Sequence, residues 1–419
     1  MPKTQKMGVV VATAMSITIV VGAGLLALPG LSYALAGRYG HWPWILVGAL
    51  MLPLLTIFAH FASEHPSAGG VMGYVRVSLG HRLGGVAEMI VLGTFTLGIP
   101  AIALIGAAYL EQVLPGLSLM QASLAVVTLA FAAGLLGIRV SGAVQTVLAA
   151  LIVVGLTGIG IAYLLTQGWP VQASPLPNTM ADWRAILLAV PVILFAYTGW
   201  EMTAFLAEDM REPERTMPTS IWASFVVVLL MYVFLAWLIA SVATPAPDWS
   251  SAPFVELSRT VFGSAGGQVV AVLAALLVVA NVIAAFLSAS RAFYAAGRDG
   301  LLPRQLGQRH AHDQPVRGMT LAWLVFMAVI VGSQTTGLGV DTLLQLAGQN
   351  FFVLYLLAAC GYARLYAKAL WQKLLAGLAV LAVLAMFSLF SLPGLLYCLL
   401  LAIVGWMTSP PTPASSASH

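Results

Sequence analysis

The sequence predicts an all-α polytopic membrane protein with about 12 transmembrane helices. Hydrophobic residues fill 60% of its 419 positions and charged residues only 8%, whereas about a quarter of a soluble domain is charged. Uncharged stretches are long, since residues 8–37 contain no Lys, Arg, Asp or Glu. Roughly 20 apolar residues cross the hydrocarbon core as a helix. A β-barrel would show short alternating strands instead.

Short stretches rich in Gly, Pro and polar residues separate the apolar segments, as expected of connections between spans. The polar residues 409–419 are typical of a disordered tail. The 12 predicted spans are 8–36, 42–62, 84–110, 116–137, 142–166, 185–206, 219–243, 264–293, 318–335, 341–364, 371–390 and 392–408.

The positive charges predict how the chain is oriented. With the N-terminus in the cytoplasm, the alternation of spans places 15 of the 18 Lys and Arg residues on the cytoplasmic side. Cytoplasmic segments of membrane proteins carry an excess of these residues. Both termini are therefore predicted to be cytoplasmic, and the three exceptions are Arg38, Arg184 and Arg259.

Spans one and six each contain a glycine-centred interruption, "VVGAGLLALPG" at 20–30 and "FAYTGWE" at 195–201. They lie an odd number of spans apart, so a five-helix unit that is repeated once must reappear inverted. Interrupted helices at matching positions of two inverted halves indicate a transporter's midplane binding site. The predicted organisation is an N-terminus (1–7), a first five-helix repeat (8–166), an inverted second repeat (185–366), two additional helices (370–408) and a cytoplasmic tail (409–419).

Unwound backbone in a membrane survives where it lines a cavity or contacts a ligand. A half-helix N-terminus offers N–H donors to an anion, and unwound carbonyls accept from a cation, so an amino acid zwitterion matches both needs. Close packing of small residues is the alternative interpretation. The predicted ligands are the N–H groups of Gly22, Ala23 and Gly24 for a carboxylate, and the carbonyls around Phe195, Ala196 and Thr198 for an ammonium group.

Glu201 directly follows the second interruption. Carboxylates inside membranes are costly and usually face a bundle interior or a water-filled path. Glu201 is therefore a candidate for proton coupling or gating, and a structural bond to a neighbouring helix is the alternative. Weaker candidates for the substrate pathway are Thr94, Thr96, Asn281 and Ser288.

Other classes of function find no support in the sequence. The histidines lack zinc-site spacing, and no phosphate-binding Gly-Lys-Ser/Thr loop is present. No catalytic constellation, metal site or cofactor site is predicted, and the net charge of +4 reflects topology rather than nucleic-acid binding. The expected partners are the lipid bilayer and a small molecule.

Three segments resemble those of the amino acid–polyamine–organocation (APC) superfamily. They are "PSAGGVMGYV" at 66–75, "EPERTMPTSI" at 212–221 and "SRAFYAAGRDGLLP" at 290–303, each predicted as a cytoplasmic loop or its edge. Their order and spacing match 12 spans, and the resemblance covers nearly the whole chain. Short loops and "LGIPA" in span three are most similar to the bacterial methionine and branched-chain amino acid exporters.

The resemblance implies the leucine-transporter-like five-plus-five fold, with broken helices one and six, in a bacterial inner membrane. Residues 22–24 match the family's carboxylate-binding break, residues 197–201 match its second break, and Phe195 lies near a gating aromatic. Ala23 replaces the usual Ser or Thr, and span five lacks the Lys of some proton-coupled relatives. Further candidates for the substrate pocket are Val21, Leu97, Ile99, Tyr197, Trp200, Ile283 and Ala285.

These patterns favour a secondary transporter, not an enzyme, that exports methionine, leucine, isoleucine or valine. Its pocket offers no partner to a charged side chain except Glu201, and an unpaired buried charge is costly. An importer or exchanger of the same fold and a membrane amino acid sensor remain alternatives. The direction of transport, the proton as coupling ion and the oligomeric state are left open by the sequence.

Overall fold

The computed structural model describes residues 8–22, 24–65, 70–114, 116–136, 142–170, 176–200, 210–308 and 315–409. These residues form α-helices joined by short turns. The helices are α1 (Val9–Val20), α2 (Gly24–Ala36), α3 (Trp42–Glu64), α4 (Gly70–Leu79), α5 (His81–Glu111), α6 (Leu119–Leu135), α7 (Gly142–Gln167), α8 (Met180–Ile193), α9 (Pro213–Val242), α10 (Pro247–Ser251), α11 (Pro253–Arg298), α12 (Val316–Thr336), α13 (Val340–Tyr366), α14 (Leu370–Phe387) and α15 (Leu392–Thr408).

Within the described residues, 8 helices are long and apolar enough to cross a membrane, namely α3, α5, α8 with its following turn, α9, α11, α12, α13 and α14. Shorter apolar helices are α6, α15 and residues Val153–Gln167 of α7. We call α1 and α2, which share the first predicted span, helix one, and α8 with the residues after it helix six. The predicted all-α polytopic fold is confirmed, and helices suit lipid because they satisfy their own backbone hydrogen bonds.

Helix α5 lies at the centre of the bundle. In its most apolar window 78% of the residues are buried inside the protein, against 28% for α14. It packs against α4, α6, α11, α13 and α15. Large apolar side chains such as Leu230, Leu276 and Leu374 are exposed on the outer helices, where lipid would cover them. A cavity beside α5 is therefore internal to the bundle.

The segment predicted as a loop after span two is partly helical. Residues 66–69 lie outside the described residues, and the remainder belongs to α4. Tyr74 of α4 stacks on Phe61 of α3 with ring centroids 4.9 Å apart, and Val71 and Val75 are also buried. The glycines of this segment suggested a loop, but its apolar face packs on the bundle as a helix.

Two other segments predicted as loops also belong to helices. Residues 213–221 form the start of α9, and residues 290–298 form the end of α11. Pro213 begins α9, a position where the missing N–H breaks no helical hydrogen bond. Helix α11 starts 11 residues before the predicted 264, and Gly263, with φ 71°, divides it.

Candidate functional site

Helix one is interrupted after Val20. Val21 leaves the helical conformation, with φ −77° and ψ 78°, and the Gly22 N–H donates to the Val20 carbonyl at 2.9 Å. Helix α2 then begins at Gly24. The break therefore brings together the C-terminus of α1 and the N-terminus of α2, which carry partial negative and partial positive charge.

Helix six is interrupted at Thr198 and Gly199. Residues 194–197 form a 3₁₀ turn, Thr198 is extended (φ −90°, ψ 156°), and Gly199 has φ 114°. A side-chain-bearing residue rarely adopts such a positive φ. The Thr198 N–H and Oγ1 both donate to the Phe195 carbonyl, at 3.3 Å and 2.8 Å. The break predicted at the Thr-Gly pair is present.

A cavity of about 180 Å³ lies between the two breaks. A cavity of about 10–15 Å³ on this measure already holds a water molecule, so this one has room for a small molecule. Most of its wall is apolar, and its lining includes no charged side chain among the described residues. The lining residues are Val20, Gly22, Gly24, Leu25, Val91, Thr94, Phe95, Gly98, Ile99, Ile102, Phe195, Ala196, Thr198, Gly199, Tyr232, Asn281, Ala285 and Phe351.

The Phe195 ring lies between helix one and α5. A Cβ atom added at Gly24 would lie 3.7 Å from the Phe195 ring, and one added at Gly98 would lie 3.3 Å from it. The two glycines therefore make room for the ring on opposite sides. The cavity's width depends on this aromatic side chain, which is half-buried.

Several of the predicted site residues are brought together on the cavity wall. Asn281 faces the first break, because a Cβ atom at Gly22 would lie 3.8 Å from its Nδ2. Thr94 is buried, and its Oγ1 donates to the Ile90 carbonyl at 2.9 Å. The predicted residues on the wall are Gly22, Gly24, Thr94, Ile99, Phe195, Ala196, Thr198, Asn281 and Ala285.

Other predicted residues lie away from the cavity. The Tyr197 hydroxyl donates to the Trp44 carbonyl at 2.8 Å, the Trp200 ring packs on Phe225, and Val21 is buried in the core. Leu97 and Ile283 pack at the edge of that core. Val21, Tyr197 and Trp200 face neighbouring helices because each break redirects the chain, whereas Leu97 and Ile283 lie within α5 and α11 and face away from the cavity by tertiary packing.

Two of the four pathway candidates also face elsewhere. Thr96 Oγ1 lies 2.8 Å from the Tyr397 hydroxyl and so links α5 to α15. Ser288 Oγ donates to the Ala284 carbonyl at 3.0 Å and lines a second cavity. Ala23 and Glu201, the remaining predicted site residues, lie outside the described residues.

The sequence reasoning missed several wall residues, above all Tyr232 of α9 and Phe351 of α13. Helices α9 and α13 contain no interruption that would single them out. Tyr232 could have been identified from the sequence as a tyrosine in the middle of an apolar span. A phenol hydroxyl there needs a hydrogen-bond partner within the protein.

A second cavity, of about 700 Å³, adjoins the first. Val91 and Phe95 line both cavities, so these two side chains form part of the wall between them. The second cavity is charged, and its wall includes the ion pair between Arg76 and Glu88. It also includes Arg291, Arg298 and Asp299, which lie in segments predicted to be cytoplasmic.

Comparison with known proteins identifies relatives over the whole chain. A family profile described as amino acid permease matches residues 7–414. The chain is 28% identical over 401 residues to an uncharacterized amino acid permease, YecA, of Bacillus subtilis (strain 168), a match that covers 94% of this chain and 93% of the relative.

Two further relatives carry substrate names. The L-methionine/branched-chain amino acid exporter YjeH of Escherichia coli (strain K12) is 26% identical over 424 residues, covering 96% of this chain and 92% of the relative. The branched-chain amino acid permease BcaP of Lactococcus lactis subsp. cremoris (strain MG1363) is 23% identical over 348 residues, covering 76% and 74%.

Proposed function

Because the chain belongs to the amino acid permease family, we propose that this multi-pass membrane transporter exports neutral amino acids with apolar side chains. Methionine, leucine, isoleucine and valine are the proposed substrates, and alternating access of the central cavity is the proposed mechanism. One observation carries the proposal: a small, largely apolar cavity with no charged side chain among its described lining residues lies between two broken helices.

The helix ends around the cavity supply what a zwitterion needs. Helix α2 begins at Gly24, so its positive N-terminal end is directed at the cavity and suits the α-carboxylate. Val20, at the C-terminal end of α1, and Ala196, in the 3₁₀ turn at 194–197, line the same cavity. The partial negative charge of such helix ends suits the α-ammonium group. These backbone groups recognise the part that all amino acids share.

The rest of the wall selects the side chain. Val91, Ile99, Ile102 and Phe351 are apolar, and among the described lining residues the polar side chains are Thr94, Thr198, Tyr232 and Asn281. A Lys, Arg, Asp or Glu side chain would be desolvated there without a partner. The transporter is expected to discriminate only weakly among apolar side chains, since one methylene changes the binding free energy by about 1–3 kcal/mol.

Export across a bacterial inner membrane is proposed on the relatives' names, because YjeH is named as an exporter of methionine and branched-chain amino acids. BcaP shares the branched-chain substrates but is named a permease, so the relatives support the substrate class more firmly than the direction.

The proposal is tested by flux through the purified protein in proteoliposomes. Radiolabelled methionine, leucine, valine, arginine and glutamate are offered under imposed pH and Na⁺ gradients, with protein-free liposomes as the control. Saturable flux of the three apolar amino acids supports the proposal. Movement of only arginine or glutamate contradicts it, and binding without flux indicates a sensor.

We also propose that both termini are cytoplasmic, as the distribution of Lys and Arg suggests. After replacement of the native Cys360 and Cys398, a cysteine at the exposed Arg184 is expected to react with an impermeant reagent in intact cells. A cysteine at the exposed Arg304, predicted to be cytoplasmic, is expected to react only after lysis. The reverse pattern would refute the orientation.

Proton coupling through Glu201 is proposed from its place two residues after Gly199. Glu201→Gln removes the titratable carboxyl, so transport is expected to become slow and nearly independent of pH from about pH 5 to pH 8, because general acid–base function requires a group that titrates. Initial rates in proteoliposomes measure this, with the exposed Glu111→Gln as the matched control. A wild-type pH profile in Glu201→Gln would show that the carboxyl is not the coupling group.

A further inference from the structure

One side of helix α11 runs from the central cavity into the second, charged cavity. Asn281 and Ala285 line the central cavity. Ser288 and Arg291 line the second cavity. The four residues are three or four positions apart and therefore share one side of the helix. Arg291 follows Ala285 by six positions, which corresponds to about 9 Å along a helix, so a molecule at Arg291 would lie close to the central cavity.

The charges of the second cavity do not cancel. Its described lining includes three arginines and two acids. Arg76 pairs with Glu88, and Arg298 Nε lies 2.7 Å from an oxygen of Asp299. Arg291 is exposed to the cavity and forms no ion pair with a described residue. Its guanidinium group is therefore open to an anion from outside the protein.

Apolar side chains line the second cavity beside these charges. Met72 and Val77 of α4 and Leu92 of α5 belong to its wall. The apolar surface continues to the central cavity through Val91 and Phe95, which line both cavities. A ligand with an anionic group and an apolar group would therefore find a partner for each part, and the volume of about 700 Å³ leaves room for it.

The chemistry of Arg291 suits a carboxylate. A guanidinium group can bind a carboxylate through two parallel hydrogen bonds. Such a contact is weak where water reaches both partners, and a weak contact allows the ligand to be released inward. In the central cavity the N-terminal end of α2 offers a second set of donors to the same carboxylate.

We propose that the second cavity is a vestibule in which Arg291 binds the α-carboxylate of an apolar amino acid before that molecule passes Val91 and Phe95 into the central cavity. The inference rests on the proposed function, because its ligand is the proposed substrate. Arg291 lies in a segment predicted to be cytoplasmic, so it captures amino acids from that side of the membrane only.

Arg291→Gln tests the proposal, with Arg304→Gln as the matched control. Arg304 is also exposed and predicted to be cytoplasmic, but it lines neither cavity. Leucine flux is measured in inverted membrane vesicles, which expose the cytoplasmic face, and in right-side-out vesicles, with vesicles that lack the protein as background. Only Arg291→Gln is expected to raise the KM, by about three- to tenfold from the cytoplasmic face and not from the other face, as loss of one solvated charge-assisted hydrogen bond allows. Arg291→Lys keeps the charge and is expected to restore most of the loss.

A second measurement uses the purified wild-type protein. Phenylglyoxal modifies exposed arginines, and mass spectrometry gives the rate of modification at each one. Leucine well above its KM is expected to slow the modification of Arg291 at least about threefold, because bound ligand protects in proportion to its occupancy. It is expected to leave Arg304 unchanged. Leucine methyl ester, which lacks the carboxylate, is expected to protect neither.

A wild-type KM from the cytoplasmic face in Arg291→Gln, or an equal rise in Arg304→Gln, would overturn the proposal. An equal rise from both faces would also overturn it, because Arg291 would then support the fold rather than capture the substrate. If Arg291→Gln does not fold, the wild-type protein decides, and absent protection or equal protection by the ester overturns the proposal. Wild-type protein that moves no amino acid contradicts the proposed function instead, and the protection experiment then still reports whether the vestibule binds leucine.

Discussion

Gly98→Leu is expected to abolish transport while the protein remains folded. Gly98 lies on α5 at the cavity wall, and a Cβ atom there would already approach the Phe195 ring to 3.3 Å. Leucine adds three further carbon atoms to a cavity of about 180 Å³, which leaves too little room for a substrate. We expect the rate of leucine flux to fall at least about 100-fold, because a difference of one methylene already changes binding in an apolar pocket by about 10- to 200-fold.

Gly98→Ala provides a graded test of the same contact. One methyl group should disfavour the larger methionine relative to valine by about tenfold. Gly332→Leu is the matched control, because a Cβ atom at Gly332 on α12 meets nothing within 4 Å. Wild-type flux in Gly98→Leu would show that the substrate does not pass through this cavity.

Gly30→Ala is expected to destabilise the whole fold. A Cβ atom at Gly30 of α2 would lie 2.4 Å from the Trp249 carbonyl oxygen and 2.8 Å from the Ser250 carbonyl oxygen. These are backbone atoms of α10, and unlike side-chain atoms they cannot relieve the clash by a change of rotamer. Overpacking of this kind costs about 1–3 kcal/mol or more, so we expect a lower melting temperature and a lower yield of monodisperse protein.

Gly155→Ala is the control for helix propensity. Gly155 lies in α7, and nothing stands within 4 Å of an added Cβ atom. Alanine is favoured over glycine in a helix by about 1 kcal/mol, so this variant should be as stable as the wild type or slightly more so. Equal stability of Gly30→Ala and Gly155→Ala would mean that α2 and α10 are not in close contact.

The sequence predicted the breaks because their causes are local. The glycines of "VVGAGLLALPG" and the Thr198-Gly199 pair interrupt apolar runs, and the structure breaks both helices there. Composition and hydropathy likewise predict a bundle of membrane helices. Helix α4 was not predicted, because the glycines in this segment favour a loop. The segment is helical because its apolar face packs on α3 and α5, and these tertiary contacts cannot be read from the local sequence.

The cavity wall could be predicted only in part. Backbone at a break is identifiable from sequence, but the direction of the next side chain is not. Tyr197 and Trp200 follow Phe195 within five residues, yet they pack on neighbouring helices while Phe195 lines the cavity. Tyr232 and Phe351 reach the wall from unbroken helices by tertiary packing alone.

We propose that the cavity between the breaks binds an amino acid by both of its charged groups and encloses an apolar side chain. Competition with leucine flux in proteoliposomes tests it most directly, using leucine methyl ester, which lacks the carboxylate, 4-methylpentanoate, which lacks the ammonium group, and arginine and glutamate. We predict that the ester and 4-methylpentanoate compete at least about tenfold more weakly than unlabelled leucine, as loss of one charge-assisted hydrogen bond implies. Arginine and glutamate are expected to compete as weakly or more so, because their side-chain charges would be desolvated in the cavity without a partner. Competition by the ester or by 4-methylpentanoate as strong as that of leucine, or equal competition by arginine and glutamate, would show that the cavity does not bind an amino acid in this way.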